Sequence, residues 1–217
     1  MMIVYAVVFT AIARFQVPRY PIFLLAGLLP WSAFAASVTT SALSIVDNAH
    51  LVRRVRFPNE FLPLTAVIGN LVNLLPSFAV LLVFALIFGQ PLGPPLLALP
   101  FLLLVQAVLT VGLALALSAL TVYFRDIQHL VTIAITVWFF ATPVIYPLSI
   151  FNGHDRLRTL LLLNPMTWLI TGYQDVWHGN RWPDPTFVTL LTVIAGLAWL
   201  AGGIIFSRLQ GRFAEEV

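Results

Sequence analysis

The chain has 217 residues, 60% of them hydrophobic and only 9% charged, with a mean hydropathy of +0.98. Soluble domains carry about 25% charged residues, so the composition excludes a water-faced globular protein and specifies an integral membrane protein. All 11 basic residues are arginine, and the net charge of +3 gives no reason to expect a nucleic-acid partner.

At 24.0 kDa the sequence reads as one membrane domain over residues 1–217, with no room for a separate soluble catalytic domain. No cysteine means no disulfide and no thiolate metal site. His50, His129, His154 and His178 are scattered and lack zinc-ligand spacing.

A helix needs about 20 apolar residues to cross the hydrocarbon core. In chain order, Met1–Ala13 is apolar but too short, roughly 20 Å of helix at 1.5 Å per residue. Ala11-Ile12-Ala13 resembles a signal-peptide cleavage site, yet a basic leader segment is missing. The segment reads better as the remnant of a first spanning helix. Full spans are expected over residues 20–46, 61–88, 96–124 and 187–206, and a minimal one over 130–147. The apolar run Leu160–Tyr173, broken by Asn164-Pro165, suits a re-entrant or interfacial helix better than a crossing. Trp168, Tyr173 and Trp177 belong to this region. They form either an aromatic belt at headgroup level or an external lid over an exit path.

Placing the amino terminus inside leaves Arg53, Arg54, Arg56, Arg125, Arg208 and Arg212 cytoplasmic, against Arg14, Arg19, Arg156, Arg158 and Arg181 outside. The tight Arg53–Arg56 cluster favours both termini being cytoplasmic.

The full spans contain no Asp, Glu, Lys or Arg, which argues against an ion-coupled transporter. No HExxH, GxSxG or paired carboxylates point to catalysis, so an enzyme is not expected. Two spans carry small or polar residues every fourth position: Thr65, Gly69, Asn73 and Ser77 on one, and Gln106, Thr110, Ala114 and Ser118 on the next. Each set shares one helix face. Such a face serves close helix packing, a contact between protomers, or the lining of a polar path.

The stretch LVRRVRFPNEF at Leu51–Phe61 cannot lie at mid-bilayer, where each arginine costs roughly 2.5–3.5 kcal/mol. It reads as a short amphipathic helix capped by Asp47 or Asn48 and running to Val55, with Pro58 ending it. Two roles are open: an anchor on anionic headgroups, or a docking knob for a soluble partner.

AGLLPWSAF (Ala26–Phe34), DNAHLVRRVRFPNEFLPL (Asp47–Leu64), YFRDIQHL (Tyr123–Leu130), WFFATPVIYPL (Trp138–Leu148) and LNPMTWLI (Leu163–Ile170) occur in that order. Together they resemble the permease subunits of type-2-class ABC exporters that move O-antigen, teichoic acid or capsular polysaccharide. The resemblance covers nearly the whole chain. It implies an all-α permease of six helices with short external helices before the last span, working as a homodimer in the bacterial cytoplasmic membrane. It also implies a separate ABC ATPase that carries the ATP and magnesium, and a lipid-linked glycan as substrate. In that frame Asp47, Arg53, Arg54, Arg56, Phe57, Pro58 and Glu60 form the loop that couples to the ATPase. Trp31, Phe34, Trp138, Phe139 and Tyr146 then join the polar stripes as candidate path or protomer contacts, although such rings equally face lipid or fill helix contacts. Family members begin with a cytoplasmic amphipathic helix and a complete first span, so a truncated amino terminus is expected here. A drug or lipid exporter on the same fold, or a non-transporting membrane scaffold, are the alternatives. A chain without lysine has no GxxxxGK[ST] phosphate loop.

Overall fold

A computed structural model describes residues 17–54, 57–124, 126–151 and 155–213, without the side chains of Arg54 and Asp155. The expected partial span at 1–13, Arg14, Arg56, Arg125 and His154 lie outside the described residues. All regular structure among the described residues is helical: α1 (Tyr20–Asp47), α2 (Ala49–Arg54), α3 (Phe61–Ile87), α4 (Leu99–Tyr123), α5 (Ile127–Phe140), α6 (Asp155–Leu162), α7 (Pro165–Trp177) and α8 (Pro185–Leu209), with single 3-10 turns before α4, before α6 and after α8. The all-α membrane fold holds. Helices at Tyr20–Asp47, Phe61–Ile87, Pro94–Tyr123 and Pro185–Arg212 are long and apolar enough to cross a bilayer.

The expected span at 130–147 is the main departure. Its helix stops at Phe140 after 14 residues, and irregular backbone follows. Pro143 is the cause: it supplies no N–H, and it disfavours helical geometry at Thr142. The run Leu160–Tyr173 is also divided. It ends α6 and opens α7, with the helix break at Asn164.

The described chain forms two compact units. The first takes in the chain through Ser32, Leu74–Leu102 and Trp138–Thr189; the second takes in Ala33–Asn73, Leu103–Val137 and the chain from Leu190. In the first unit α7 is the centre, with Met166, Leu169, Ile170, Tyr173 and Val176 buried. In the second, Ile45, Val52, Leu115, Ala119, Val122, Phe206 and Phe213 make one apolar cluster.

The polar run SVTTSALS in α1 would be costly in hydrocarbon if its hydroxyls lacked acceptors. Each donates to a carbonyl one turn back: Ser37 to Ala33 at 2.7 Å, Thr39 to Ala35 at 2.8 Å, Thr40 to Ala36 at 2.7 Å, Ser41 to Val38 at 3.1 Å and Ser44 to Ser41 at 2.7 Å. The helix therefore stays apolar in effect.

Candidate functional site

Two sets of residues stand apart from ordinary helix packing, one in each unit. In the first unit it is the broken backbone after α5. A chain that leaves a helix inside a membrane protein must satisfy each freed carbonyl from within the protein. Here eight consecutive carbonyls are met. Thr142 donates its hydroxyl to Trp138 at 2.8 Å and its N–H to Phe139 at 3.2 Å, and the N–H of Val144 reaches the Thr142 carbonyl at 2.7 Å. The Tyr146 hydroxyl donates to Phe140 at 2.9 Å, and Asn164 Nδ2 donates to Ala141 at 3.1 Å. Gln174 Nε2 serves Pro143 at 3.0 Å and Val144 at 3.4 Å, and the Tyr20 hydroxyl closes the series on Ile145 at 2.7 Å.

Asn164 is the hub. Its Oδ1 accepts the indole N–H of Trp138 at 2.8 Å and caps α7 by accepting the N–H of Met166 at 3.0 Å, while Nδ2 also reaches the Thr142 hydroxyl at 2.9 Å. Gln174 gains its position because Gly27 leaves room on α1: a Cβ there would sit 2.8 Å from Gln174 Nε2 and 3.1 Å from the Val144 carbonyl. Neither Asn164, Gln174 nor Gly27 stood among the sequence candidates. The only sequence signal was an amide in an otherwise apolar run beside a proline.

The aromatic candidates divide by burial. Trp31 is buried, its ring 6.4 Å from Trp138 and 5.7 Å from Phe139, both half-buried. Tyr146 is half-buried and engaged with the break through its hydroxyl. Tyr173 and Trp177 are core residues packed against Phe78 at 5.7 and 5.6 Å, not surface rings. Trp168 is half-buried and stacks on Phe187 at 5.9 Å, where it lines a cavity. In the second unit Phe34 is fully buried.

The two stripes also separate. Gln106, Thr110, Ala114 and Ser118 are all buried. Thr65, Gly69 and Asn73 are exposed, Ser77 is half-buried, and a Cβ added at Gly69 meets nothing within 4 Å. The α4 stripe is a packing surface of this chain. The α3 stripe presents polar groups outward from a spanning helix, beside exposed Ile68, Val72 and Leu75.

The second set is the charged loop, which belongs to the second unit. Asn48 Nδ2 turns back to the Ser44 carbonyl at 2.8 Å, while its own carbonyl accepts the N–H groups of Leu51 and Val52. The amphipathic helix expected through Val55 is α2, described through Arg54. Val52 plugs into the apolar cluster of α1, α4 and α8, while His50 and Arg53 are exposed. Asp47 is exposed at the end of α1. Phe57 is half-buried, Pro58 and Glu60 are exposed, and the carbonyls of Pro58, Asn59 and Glu60 accept the first N–H groups of α3. Pro58 therefore starts the next helix as well as ending the last. Glu60 edges a groove of about 290 Å³ with Trp199, Gly203 and Ser207.

Helices long and apolar enough to cross a bilayer flank the short charged helix α2, and a family match covers residues 1–177, as ABC-2 type transporter. The chain belongs to the ABC-2 type transporter family. It is 39% identical to the O-antigen export system permease protein RfbA of Myxococcus xanthus, over all of this chain and 83% of the relative. It is 28% identical to the O-antigen export system permease protein RfbA of Klebsiella pneumoniae, over 98% of this chain and 81% of that protein. The ABC-2 chain thus carries its charged helix as a fixed part of the second unit, pinned by Val52.

Proposed function

We propose that this ABC-2 chain is the permease of an ATP-driven exporter that moves a lipid-linked polysaccharide, of the O-antigen, teichoic acid or capsule type, out across the bacterial cytoplasmic membrane. The observation that carries the reading is full-length similarity, at 39% identity, to a protein named for O-antigen export. ATP and magnesium belong to a separate ABC ATPase, because a chain without lysine cannot build the phosphate loop. Two copies work as a homodimer. The exposed face of small or polar residues Thr65, Gly69 and Asn73 is the candidate contact between the two protomers.

Both termini are cytoplasmic, and α2 with the following loop meets the ATPase. The ATPase presses on Arg53, Arg54, Arg56 and Glu60, and Val52 passes that displacement to α1, α4 and α8. Phe57, half-buried, holds the loop's shape as much as it contacts the partner.

Coupling through this loop has a direct test. Phe57→Ala and Glu60→Arg are expected to abolish stimulation of the partner's ATPase, with membrane insertion unchanged in accessibility labelling. Arginine-to-lysine changes should give partial loss wherever a bidentate contact is made. Full stimulation in both the Phe57 and Glu60 variants would reduce the loop to a headgroup anchor.

A further inference from the structure

The first unit contains a cavity of about 290 Å³ that meets the broken-helix network only at Gln174. It lies where α7 ends and α8 begins. Trp168 and Phe187, stacked at 5.9 Å and nearly parallel at 7°, provide apolar ring surface in its lining, together with Phe23. The polar part of the lining includes Asp175, His178, Arg181, Asp184, Thr171 and Ser149.

The charges on this lining nearly cancel. Arg181 pairs with Asp175 at 2.6 Å, and Asp184 caps α8 by accepting the N–H of Thr186 at 2.8 Å. His178 Nε2 lies 2.6 Å from the Pro18 carbonyl, which can only accept, so that nitrogen carries its proton. The lining therefore offers carboxylate oxygens as acceptors, hydroxyls as both, and one exposed guanidinium, around an apolar wall. Small-molecule sites combine apolar walls with a few placed polar groups and start at roughly 300 Å³, so this one holds a single ring and not a chain.

We propose that this cavity is a subsite for one neutral pyranose unit. A pyranose is the ligand whose chemistry matches: one face carries C–H groups for an aromatic wall, and its rim carries hydroxyls that both donate and accept. A phosphate or carboxylate ligand fits less well, because Asp175 already holds Arg181 and Asp184 adds a second negative charge. Burial pushes the Asp175 carboxyl above its usual range, with Arg181 pulling it partly back. The proposal rests on the glycan-export reading for its biological role, but the binding stands on the cavity's own geometry.

The test uses the full chain with its partner ATPase in lipid nanodiscs, with methyl glycosides of glucose, galactose and mannose as probes. Saturation-transfer NMR, irradiating the protein's aromatic protons, should reach the ring C–H protons of at least one probe. Ser149→Trp, at an exposed rim position, should block the cavity without touching the core and remove the signal. Asp175→Asn, which removes a carboxylate acceptor and also loosens Arg181, should weaken binding at least about fivefold. Inorganic phosphate at matched ionic strength should not displace the glycoside. No transfer to any probe, unchanged binding in Ser149→Trp, or displacement by phosphate would each overturn the subsite. Surface glycan separates the two readings. A wild-type chain that fails to restore it in permease-deficient cells sinks the export reading. A chain that restores it while Ser149→Trp binds the glycosides normally sinks the subsite alone.

Discussion

Asn164→Ala should leave the chain inserted but markedly less stable. The substitution removes the cap of α7 and the hydrogen bonds that Asn164 makes to the Trp138 indole N–H, the Ala141 carbonyl and the Thr142 hydroxyl. A lost cap costs about 1 kcal/mol, and each part-buried hydrogen bond about 0.5–1.5 kcal/mol. A total on the order of 3 kcal/mol is expected, which lowers the melting midpoint by roughly 6–12 °C for a chain of this size. Asn164→Asp keeps the acceptor and loses both donations, so it should fall between wild type and alanine. Thermal unfolding in detergent checks the order. An alanine variant as stable as wild type would mean that the network is decorative.

The second large effect lies where α4 meets α8 in the second unit. A Cβ placed on Gly202 falls onto the backbone carbonyl of Gly112, and one on Gly112 falls onto the backbone of Ala198. Neither obstacle is a side chain that can rotate away. Gly202→Ala should cost about 1–3 kcal/mol by forcing the helices apart, and Gly202→Leu should yield no folded protein. The next residue is the control. A Cβ on Gly203 meets nothing within 4 Å, so Gly203→Ala should be neutral or stabilising by up to about 1 kcal/mol. Size-exclusion profiles and melting of the three variants decide the point. Equal behaviour of Gly202→Ala and Gly203→Ala would refute the close contact.

The sequence made the long helices legible because length and hydropathy alone fix them: four apolar stretches correspond to the four helices, among the described residues, that are long enough to cross a bilayer. The shortening of α5 was partly legible, since Pro143 announces a break. How that break is tolerated was not. Its carbonyls are met by Tyr20, Asn164 and Gln174, which come from distant positions along the chain. Local spacing carries no information about such partners.

The two stripes show the same limit. Thr65, Gly69 and Asn73 repeat just as Gln106, Thr110 and Ala114 do, yet one set faces outward and the other is buried. Spacing identifies a shared face and not what covers it. The aromatic group was more readable than the expectation allowed. Tyr173 and Trp177 are four residues apart and share a face, whereas Trp168 lies five positions before Tyr173 and points elsewhere. The charged stretch forms a short helix as expected, described through Arg54, but the Asn48 side chain turns back to Ser44 instead of capping it, and Val52 fixes it to the apolar cluster of the second unit.

Surface display of the glycan is the measurement closest to the central claim. Cells that lack their own permease but retain glycan synthesis receive this chain, its partner ATPase, or both. Glycan on the cell surface is expected only with both, and none when the lysine of the ATPase phosphate loop is replaced. Glycan that reaches the surface with that inactive ATPase, or that never appears with both subunits present in the membrane, would contradict ATP-driven polysaccharide export by this chain.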